Sequence, residues 1–257
     1  MKDWPVNANY WVMLRLKSQT KHASISRKVA RSSPVSKTFE LLREQNPDPK
    51  CELYYETPFQ LLTSVMLSAQ TTDKQVNKVM TPLYREGFHL DYVLSLGTAG
   101  LLEKIKSIGL APTKAKHVVK MAEILKAKHG SKVPDNRTDL EALPGVGKKT
   151  ASVILGELFA APTIAVDTHV FRVSKRLGWH TCKRHDQVEE VLLKKIPQGY
   201  LPKAHHWLIL LGRYTCKATS PQCESCVVAT LCPKLFDKAP KNRTFAKRLK
   251  QGSTTSR

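Results

Sequence analysis

The stretch DLEALPGVGKKTASVILGELF, residues 139–159, decides the fold of this chain. Residues 139–143 and 148–159 each show the spacing of apolar side chains that is typical of a helix. Between them, PGVG at residues 144–147 must turn sharply, and its two glycines allow positive φ and close approach of another backbone. The stretch therefore predicts two helices joined by a short hairpin.

A hairpin of this kind presents backbone N–H groups to a ligand. The N–H groups of Gly145, Val146 and Gly147, together with the N-terminus of the helix that begins at Lys148, are suited to binding a phosphate. Contacts to phosphate position DNA without reading its sequence. An ordinary αα-hairpin with a glycine turn has the same spacing. The glycines alone therefore leave both interpretations open.

Helical patterns continue on both sides of the hairpin. TPFQ at residues 57–60 is a capping box with proline at the first helical position, and the helix that it starts is predicted to end near Gln70. Asp73 is predicted to cap the next helix, Asp186 to open a later one, and Gly212 to end the last. Only one four-residue segment looks extended. The sequence therefore predicts an all-α protein.

The chain has 257 residues and a net charge of +21, most of which lies near its two ends. Residues 1–37 and residues 233–257 each hold eight Lys+Arg and one Asp, so each segment carries +7 and the region between them carries the remaining +7. Both end segments are rich in Ser, Thr and Lys. This composition predicts flexible basic arms that bind polyanions without specifying which one.

Several functional classes are disfavoured by what the sequence lacks. No uninterrupted apolar run approaches the roughly 20 residues of a membrane-spanning helix, so we expect a soluble protein. Neither a Walker loop nor a dinucleotide fingerprint is found, which disfavours nucleotide-driven enzymes. The N-terminus lacks the features of a secretory signal, but residues 12–37 are basic, contain Ser and lack acidic residues, so a transit peptide remains an open alternative.

Four of the six cysteines fall within one 17-residue stretch, while Cys51 and Cys182 stand alone. The clustered four are Cys216, Cys223, Cys226 and Cys232. Their clustering indicates a metal centre in a reducing compartment more than a disulfide framework. Four thiolates on a compact loop suit either tetrahedral zinc or a 4Fe-4S cluster, and the residues alone leave that choice open.

Other motifs accompany the hairpin. They are NPDP at 46–49, MLSAQTTD at 66–73, SIGLAPTKA at 107–115, LPGVGKKTA at 143–151, VDTHVFRV at 166–173 and HHWLILLGRYTC at 205–216. With these motifs the chain resembles, from about Phe39 to Cys232, the endonuclease III family of DNA glycosylases in the helix-hairpin-helix superfamily. The cysteine spacing matches the 4Fe-4S loop of that family.

The resemblance implies two helical lobes with DNA in the cleft between them. Residues 51–161 would form a helical barrel that contains the helix-hairpin-helix motif at 139–159. Residues 38–50 and 162–232 would join as the lobe that carries the 4Fe-4S cluster on a C-terminal loop of four cysteines.

The same resemblance implies that Lys149 is the catalytic nucleophile and Asp167 its partner. A lysine amine that attacks the anomeric carbon displaces the damaged base and leaves a Schiff base, from which β-elimination cuts the strand. Without the resemblance, Lys148 and Lys149 would both be phosphate contacts and Asp167 a helix N-cap. The cap is compatible with catalysis, since a carboxylate held by helix N–H groups stabilises positive charge that develops on the sugar.

The target nucleotide must be extruded from the duplex, because the lysine cannot reach a sugar carbon inside stacked DNA. Extrusion leaves a gap, which side chains that we call wedge residues would fill or brace. The resemblance places Gln70 and Leu110 in the duplex. On their own, Gln70 would be a polar helix end and Leu110 a core residue. His169 and Arg172 are further candidates for DNA contact, and either could instead serve inside the fold.

The implied function is a bifunctional DNA glycosylase and abasic-site lyase of base-excision repair. Its expected partner is double-stranded DNA with oxidised pyrimidines or abasic sites, bound by a monomer away from membranes. The adenine-mismatch glycosylases are an alternative, although that branch characteristically lacks the lysine and carries a further C-terminal domain. The second alternative is a non-catalytic iron-sulfur module that binds DNA, and the presence of Lys149 and Asp167 argues against it. We expect a cytoplasmic, nucleoid-associated protein in a bacterium and a nuclear or mitochondrial one in a eukaryote.

Overall fold

The computed structural model describes residues 33–236, and within this range the chain is helical with no β-strand. This confirms the predicted all-α class. Most of both basic arms lies outside the described residues. The helices are α1 (Pro34–Gln45), α2 (Pro58–Leu67), α3 (Asp73–Arg85), α4 (Leu90–Ile105, interrupted at Gly97), α5 (Ala111–Lys128), α6 (Arg137–Glu141), α7 (Lys148–Phe159), α8 (Thr168–Arg176), α9 (His185–Lys195) and α10 (Leu201–Leu210).

Helix starts follow their capping residues. The predicted capping box is present at α2, where the Gln60 N–H donates to Thr57 Oγ1 at 3.2 Å and the Thr57 N–H donates back to Gln60 Oε1 at 3.3 Å. At α3 the prediction was wrong by one residue, because the Thr72 hydroxyl takes the capping position and Asp73 is the first helical residue. Asp186 likewise lies in the first turn of α9 rather than at its cap.

Two predicted helix ends also differ from the structure. α2 ends at Leu67, and Gln70 has a left-handed φ of 57° in the loop that follows. α10 does not stop at Gly212 but continues into a π-helical turn, Leu211–Thr215. A Cβ at Gly212 would lie 2.8 Å from His169 Cβ. The glycine is therefore needed for close packing against α8 and not for helix termination.

Within residues 33–236 the apolar side chains form two buried cores. The first draws on α2 to α7 and includes Leu61, Met80, Ile105, Leu125 and Ile154. The second includes Phe39 and Leu42 of α1 together with residues between Ile164 and Val228.

The second core joins distant parts of the chain. Phe39 of α1 packs with its ring centroid 5.9 Å from that of Trp207, and the Trp207 indole N–H donates to Asn46 O at 2.8 Å. Apolar burial therefore fixes α1, the first helix of the described residues, against the C-terminal half.

Polar side chains connect the residues of the two cores. Arg213 forms ion pairs with Glu52 and, at 2.6 Å, with Asp73. Tyr55 donates to Glu157 at 2.7 Å, and His206 lies 3.4 Å from the same carboxylate. Glu52, Asp73, His206 and Arg213 all line one cavity, so these links hold parts of its wall in place.

None of the helices within residues 33–236 has the combination of length and apolar character that crossing a bilayer requires.

Candidate active site

The hairpin that precedes α7 is fixed by close packing. Gly145 has φ of +79°, and a Cβ there would meet Met66 Sδ at 2.6 Å and His117 Nδ1 at 3.0 Å. Val146 is buried, and its N–H donates to Leu143 O at 3.1 Å. α7 then begins after Gly147 without a side-chain cap. The N-terminus of α7 thus keeps its backbone donors for an anion.

Lys149 and Asp167, the two residues singled out for chemistry, line one cavity of about 1100 Å³. Lys149 lies in the first turn of α7. Asp167 is the N-cap of α8, where its Oδ1 accepts the Val170 N–H at 2.7 Å. The hairpin and the cap therefore bring an amine and a carboxylate, 18 positions apart in the sequence, to the same cavity.

A histidine that was not assigned a role from the sequence also lines this cavity. His205 Nδ1 lies 2.8 Å from Ala165 O, and because a carbonyl oxygen only accepts, Nδ1 carries the proton. Burial, and next the neighbouring His206, lowers the pKa of His205 to about 4, while Asp167 opposes and Lys149 adds to this effect. His205 is therefore a neutral imidazole near pH 7. The feature of the sequence that could have drawn attention to His205 is the pair of adjacent histidines that opens HHWLILLGRYTC, residues 205–216.

Gln70 and Leu110 occupy two loops with the same unusual backbone conformation. Their φ angles are 57° and 61°. Gln70 lines the cavity, and the Leu110 side chain is 56% exposed. The alternative that Leu110 is a core residue is therefore wrong. An exposed leucine held in a left-handed conformation needs another explanation.

His169 and Arg172 lie side by side on α8. His169 lines the cavity, whereas the Arg172 guanidinium donates to Gly212 O at 2.8 Å and to Cys216 O at 3.1 Å. Arg172 Nη2 also lies 3.1 Å from His169 Nδ1. Arg172 thus joins α8 to the chain around Cys216. This internal role is the alternative to DNA contact that the sequence left open for Arg172.

The four clustered cysteines line a second, smaller cavity. Burial, followed by repulsion from the three neighbouring cysteines, raises the pKa of Cys223 to about 11. Burial also raises the pKa of Cys226 and of Cys232. A cationic centre among them would reverse this effect, because it stabilises thiolates.

Arg176 supports the loop that carries these cysteines. Its side chain is largely buried, and the guanidinium donates to Lys217 O at 2.7 Å, to Ala218 O at 2.9 Å and to Cys216 Sγ at 3.3 Å. Hydrogen bonds from a guanidinium to several carbonyls fix the loop backbone. The start of the cysteine loop is thereby fixed to the C-terminal end of α8.

The chemistry of the four cysteines limits what they could hold. Among the described residues, no group of three or more His, Cys, Asp or Glu side chains is placed to bind a metal ion. A zinc ion would draw four sulfurs to about 2.3 Å from one point. A cubane places iron and sulfide between the thiolates and so keeps them further apart. Four cysteines around one cavity are a donor set that fits either group.

Comparison with known proteins identifies the family of this chain. The family model described as HhH-GPD superfamily base excision DNA repair protein matches residues 63–198. Endonuclease III of Haemophilus influenzae is 51% identical over 191 residues, which cover 74% of this chain and 90% of that protein. Endonuclease III of Escherichia coli K12 is 50% identical over the same shares. The chain belongs to the endonuclease III family.

Solved structures of endonuclease III have the same fold as this family member. A trapped endonuclease III–DNA covalent intermediate, the estranged-adenine complex, is 41% identical with a TM-score of 0.72, covering 79% of this chain and 97% of that one. A non-covalent endonuclease III–DNA complex is 38% identical with a TM-score of 0.73, covering 86% and 99%.

Proposed function

We propose that this member of the endonuclease III family is a bifunctional DNA glycosylase and abasic-site lyase of base-excision repair that acts on oxidised pyrimidines in duplex DNA. The observation that carries the proposal is the placement of Lys149 and Asp167 on one cavity, in a chain about 50% identical to endonuclease III. The solved complexes hold endonuclease III on DNA, and we assign double-stranded DNA as the partner of this chain as well.

In the proposed reaction, Lys149 Nζ attacks the anomeric carbon of the damaged nucleotide. The bond from this carbon to the base breaks, and the base leaves with the electron pair. Loss of protons from the nitrogen and opening of the sugar ring give a Schiff base. Removal of a neighbouring C2′ proton then expels the 3′ phosphate by β-elimination, which cuts the strand.

Asp167 has an electrostatic role in this scheme. Its carboxylate faces the positive charge that develops on the sugar as the base departs. Its hydrogen bond to the Val170 N–H fixes the carboxylate in place before the substrate arrives, so no reorganisation is needed during the reaction. Help in deprotonating Lys149 is a secondary role.

DNA is held by backbone donors and opened by the two loop residues. We propose that the N-terminus of α7, with Gly145, Gly147 and Lys148, binds a phosphate beside the lesion. The buried Val146 supports this turn by its packing. His169, which lines the cavity, remains a candidate for a DNA contact, whereas the internal hydrogen bonds of Arg172 favour a structural role.

The wedge assignment has its own test. Gln70→Ala and Leu110→Ala are each expected to slow excision of a paired lesion more than cutting at a preformed abasic site, because the abasic site has no base to unpair. Single-turnover rates on the two duplexes give the comparison. Equal slowing on both would show that these side chains do not act mainly in extrusion.

The four-cysteine loop is proposed to hold a 4Fe-4S cluster through Cys216, Cys223, Cys226 and Cys232. The four cysteines line one cavity, and their spacing in the sequence matches the 4Fe-4S loop of the endonuclease III family, which supports this choice over zinc. When bound, the cluster supplies a structural staple for a loop with few apolar residues. A brown protein with iron and acid-labile sulfide in equal amounts is expected, whereas a colourless protein with one zinc per chain would contradict the assignment.

The two buried cores suggest how the chain divides. We propose residues 51–161 as the helical lobe, residues 38–50 with 162–232 as the cluster lobe, and residues 1–37 and 233–257 as basic arms that add nonspecific DNA affinity. Since the substrate is genomic DNA, we expect the protein at the nucleoid of a bacterium or in the nucleus or mitochondrion of a eukaryote, as a monomer.

Borohydride trapping tests the central proposal. Wild-type protein and Lys148→Ala should both become covalently linked to abasic duplex DNA, whereas Lys149→Ala should not. Equal trapping of all three would refute the lysine assignment. An adenine-mispaired duplex in the same panel tests the adenine-mismatch alternative, and absence of any strand cutting would favour a non-catalytic DNA-binding module.

A further inference from the structure

A buried lysine lies beneath the loop that carries Gln70. The Lys114 side chain is on α5 and only 5% of its residue surface is exposed. Its ammonium donates to Leu67 O and Ala69 O, each at 2.7 Å, and to Thr71 Oγ1 at 3.1 Å. An ammonium has three protons, so these three oxygens, which flank Gln70 in the chain, satisfy it fully.

The backbone of Lys114 also contacts the loop that carries Leu110. The Lys114 N–H donates to Leu110 O at 3.0 Å, the first hydrogen bond of α5. One residue therefore contacts both loops, with its side chain on the Gln70 loop and its backbone on Leu110. Such a position is unexpected for lysine, because burial disfavours the charged amine and lowers the pKa of Lys114.

Further contacts join the two loops directly. A Cβ at Gly109 would lie 3.3 Å from Thr71 Oγ1 and 3.4 Å from Gln70 O, so this glycine allows the loops to touch. At the edge of this contact, Gln75 Nε2 donates to Ser107 Oγ at 3.2 Å. The two loops thus form one packed unit rather than two independent segments.

This unit holds two residues in a backbone conformation that costs free energy. Gln70 and Leu110 both have positive φ, which persists in residues other than glycine only when surrounding contacts determine it. The ammonium of Lys114 binds the carbonyls just before Gln70, where α2 has ended and its last carbonyls lack helical partners.

We propose that Lys114 is a positioning residue that fixes Gln70 and Leu110 as a single preformed wedge for nucleotide extrusion. The inference rests on the proposed function, since it assigns a task within that reaction. Lys114 does not line the cavity that holds Lys149 and Asp167. It acts on extrusion, through the two loops, and leaves the chemical step to other residues.

The test compares Lys114→Met with Lys116→Met. The two lysines lie on the same helix and lose the same charge, but Lys116 is exposed. Single-turnover rates are measured on a dihydrouracil-containing duplex and on the same duplex with an abasic site. Lys114→Met should slow dihydrouracil excision about tenfold, equivalent to about 1.4 kcal/mol, and change abasic-site cutting less than about twofold. Lys116→Met should change the ratio of the two rates little.

A double variant separates positioning from general damage. If Lys114 acts through Gln70, then Gln70→Ala combined with Lys114→Met should be hardly slower than the worse single variant, because both remove the same wedge. Fluorescence of 2-aminopurine placed beside the lesion should show slower base unstacking in Lys114→Met. Equal slowing on both substrates, additive effects in the double variant, or unchanged unstacking would overturn the proposal.

A milder variant covers the case in which Lys114→Met does not fold. Gln75→Ala removes the surface contact between the two loops at Ser107. It should also slow excision of dihydrouracil more than cutting of the abasic duplex, but by a smaller factor than Lys114→Met. If it slows both reactions equally, the inference is wrong. Wild-type protein inactive on both duplexes would instead refute the proposed function, so the two failures are distinct.

Discussion

Asp167 combines two roles that substitution can separate. Its Oδ1 caps α8 by accepting the Val170 N–H at 2.7 Å, and its carboxylate lines the cavity with Lys149. Asp167→Asn keeps a capping oxygen, because Asn and Asp cap helices about equally well, but it removes the charge. Asp167→Ala removes both the cap and the charge.

The expected stabilities follow from these contacts. Loss of the capping hydrogen bond in Asp167→Ala should lower the free energy of unfolding by about 1 kcal/mol. Loss of a negative charge at a helix N-terminus adds about 0.3–1 kcal/mol. Asp167→Asn should show only this second, smaller decrease. Both variants should lose the electrostatic stabilisation that we propose for Asp167, which corresponds to a decrease of about 100- to 1000-fold in rate.

The experiment pairs urea denaturation with single-turnover base excision on one dihydrouracil duplex. Asn and Ala variants should differ in stability by about 1 kcal/mol and yet have similar, strongly reduced rates. If Asp167→Asn kept most of the wild-type rate while Asp167→Ala lost it, the residue would act as a cap that positions α8, and the electrostatic role would be refuted.

Three further predictions concern the cluster loop, the cavity and the arms. Arg176→Leu removes the hydrogen bonds that fix the cysteine loop and should lower the iron-to-protein ratio and the melting temperature; full iron content would contradict this role. The folded-state pKa of His205 lies below its ordinary value, so the unfolded chain binds more protons between about pH 6.5 and pH 4. Folding stability should therefore decrease as the pH is lowered through this range, by at most about 1.4 kcal/mol per pH unit for this group. Urea titrations of His205→Asn at several pH values should show a shallower decrease, and an unchanged slope would contradict this reasoning. Deleting residues 1–32 and 237–257 should flatten the salt dependence of DNA binding without changing lesion preference; a changed preference would place specificity in the arms.

Local features of the chain were predictable because their causes are local. The capping box at Thr57 and the cap at Asp167 depend on side chains that reach backbone groups within three residues, and the structure contains both. The helix start at Lys148 depends on the glycine turn directly before it, and the structure contains it as well. The error at Asp73 has the same origin. Thr72 and Asp73 are adjacent capping residues, and local spacing does not decide between them.

Contacts between distant segments were not predictable in this way. Gly212 looked like a helix stop, but the space that it leaves is used by His169, 43 positions earlier in the chain. The oxygen partners of the Lys114 ammonium lie on a loop more than 40 residues away, and nothing in the sequence around Lys114 indicates them. The neutral state of His205 likewise depends on burial by several elements. Sequence periodicity has no information about such partners.

The second core has a consequence for how the chain folds. The first core is built from residues between Leu53 and Leu155, a continuous segment, so it can close while the ribosome is still adding residues. The second requires Phe39 to meet Trp207, which cannot occur until most of the chain has been made. The apolar face of α1 therefore stays exposed while the intervening segment is synthesised. Slow translation or truncation beyond the first core should leave α1 exposed to proteases and chaperones.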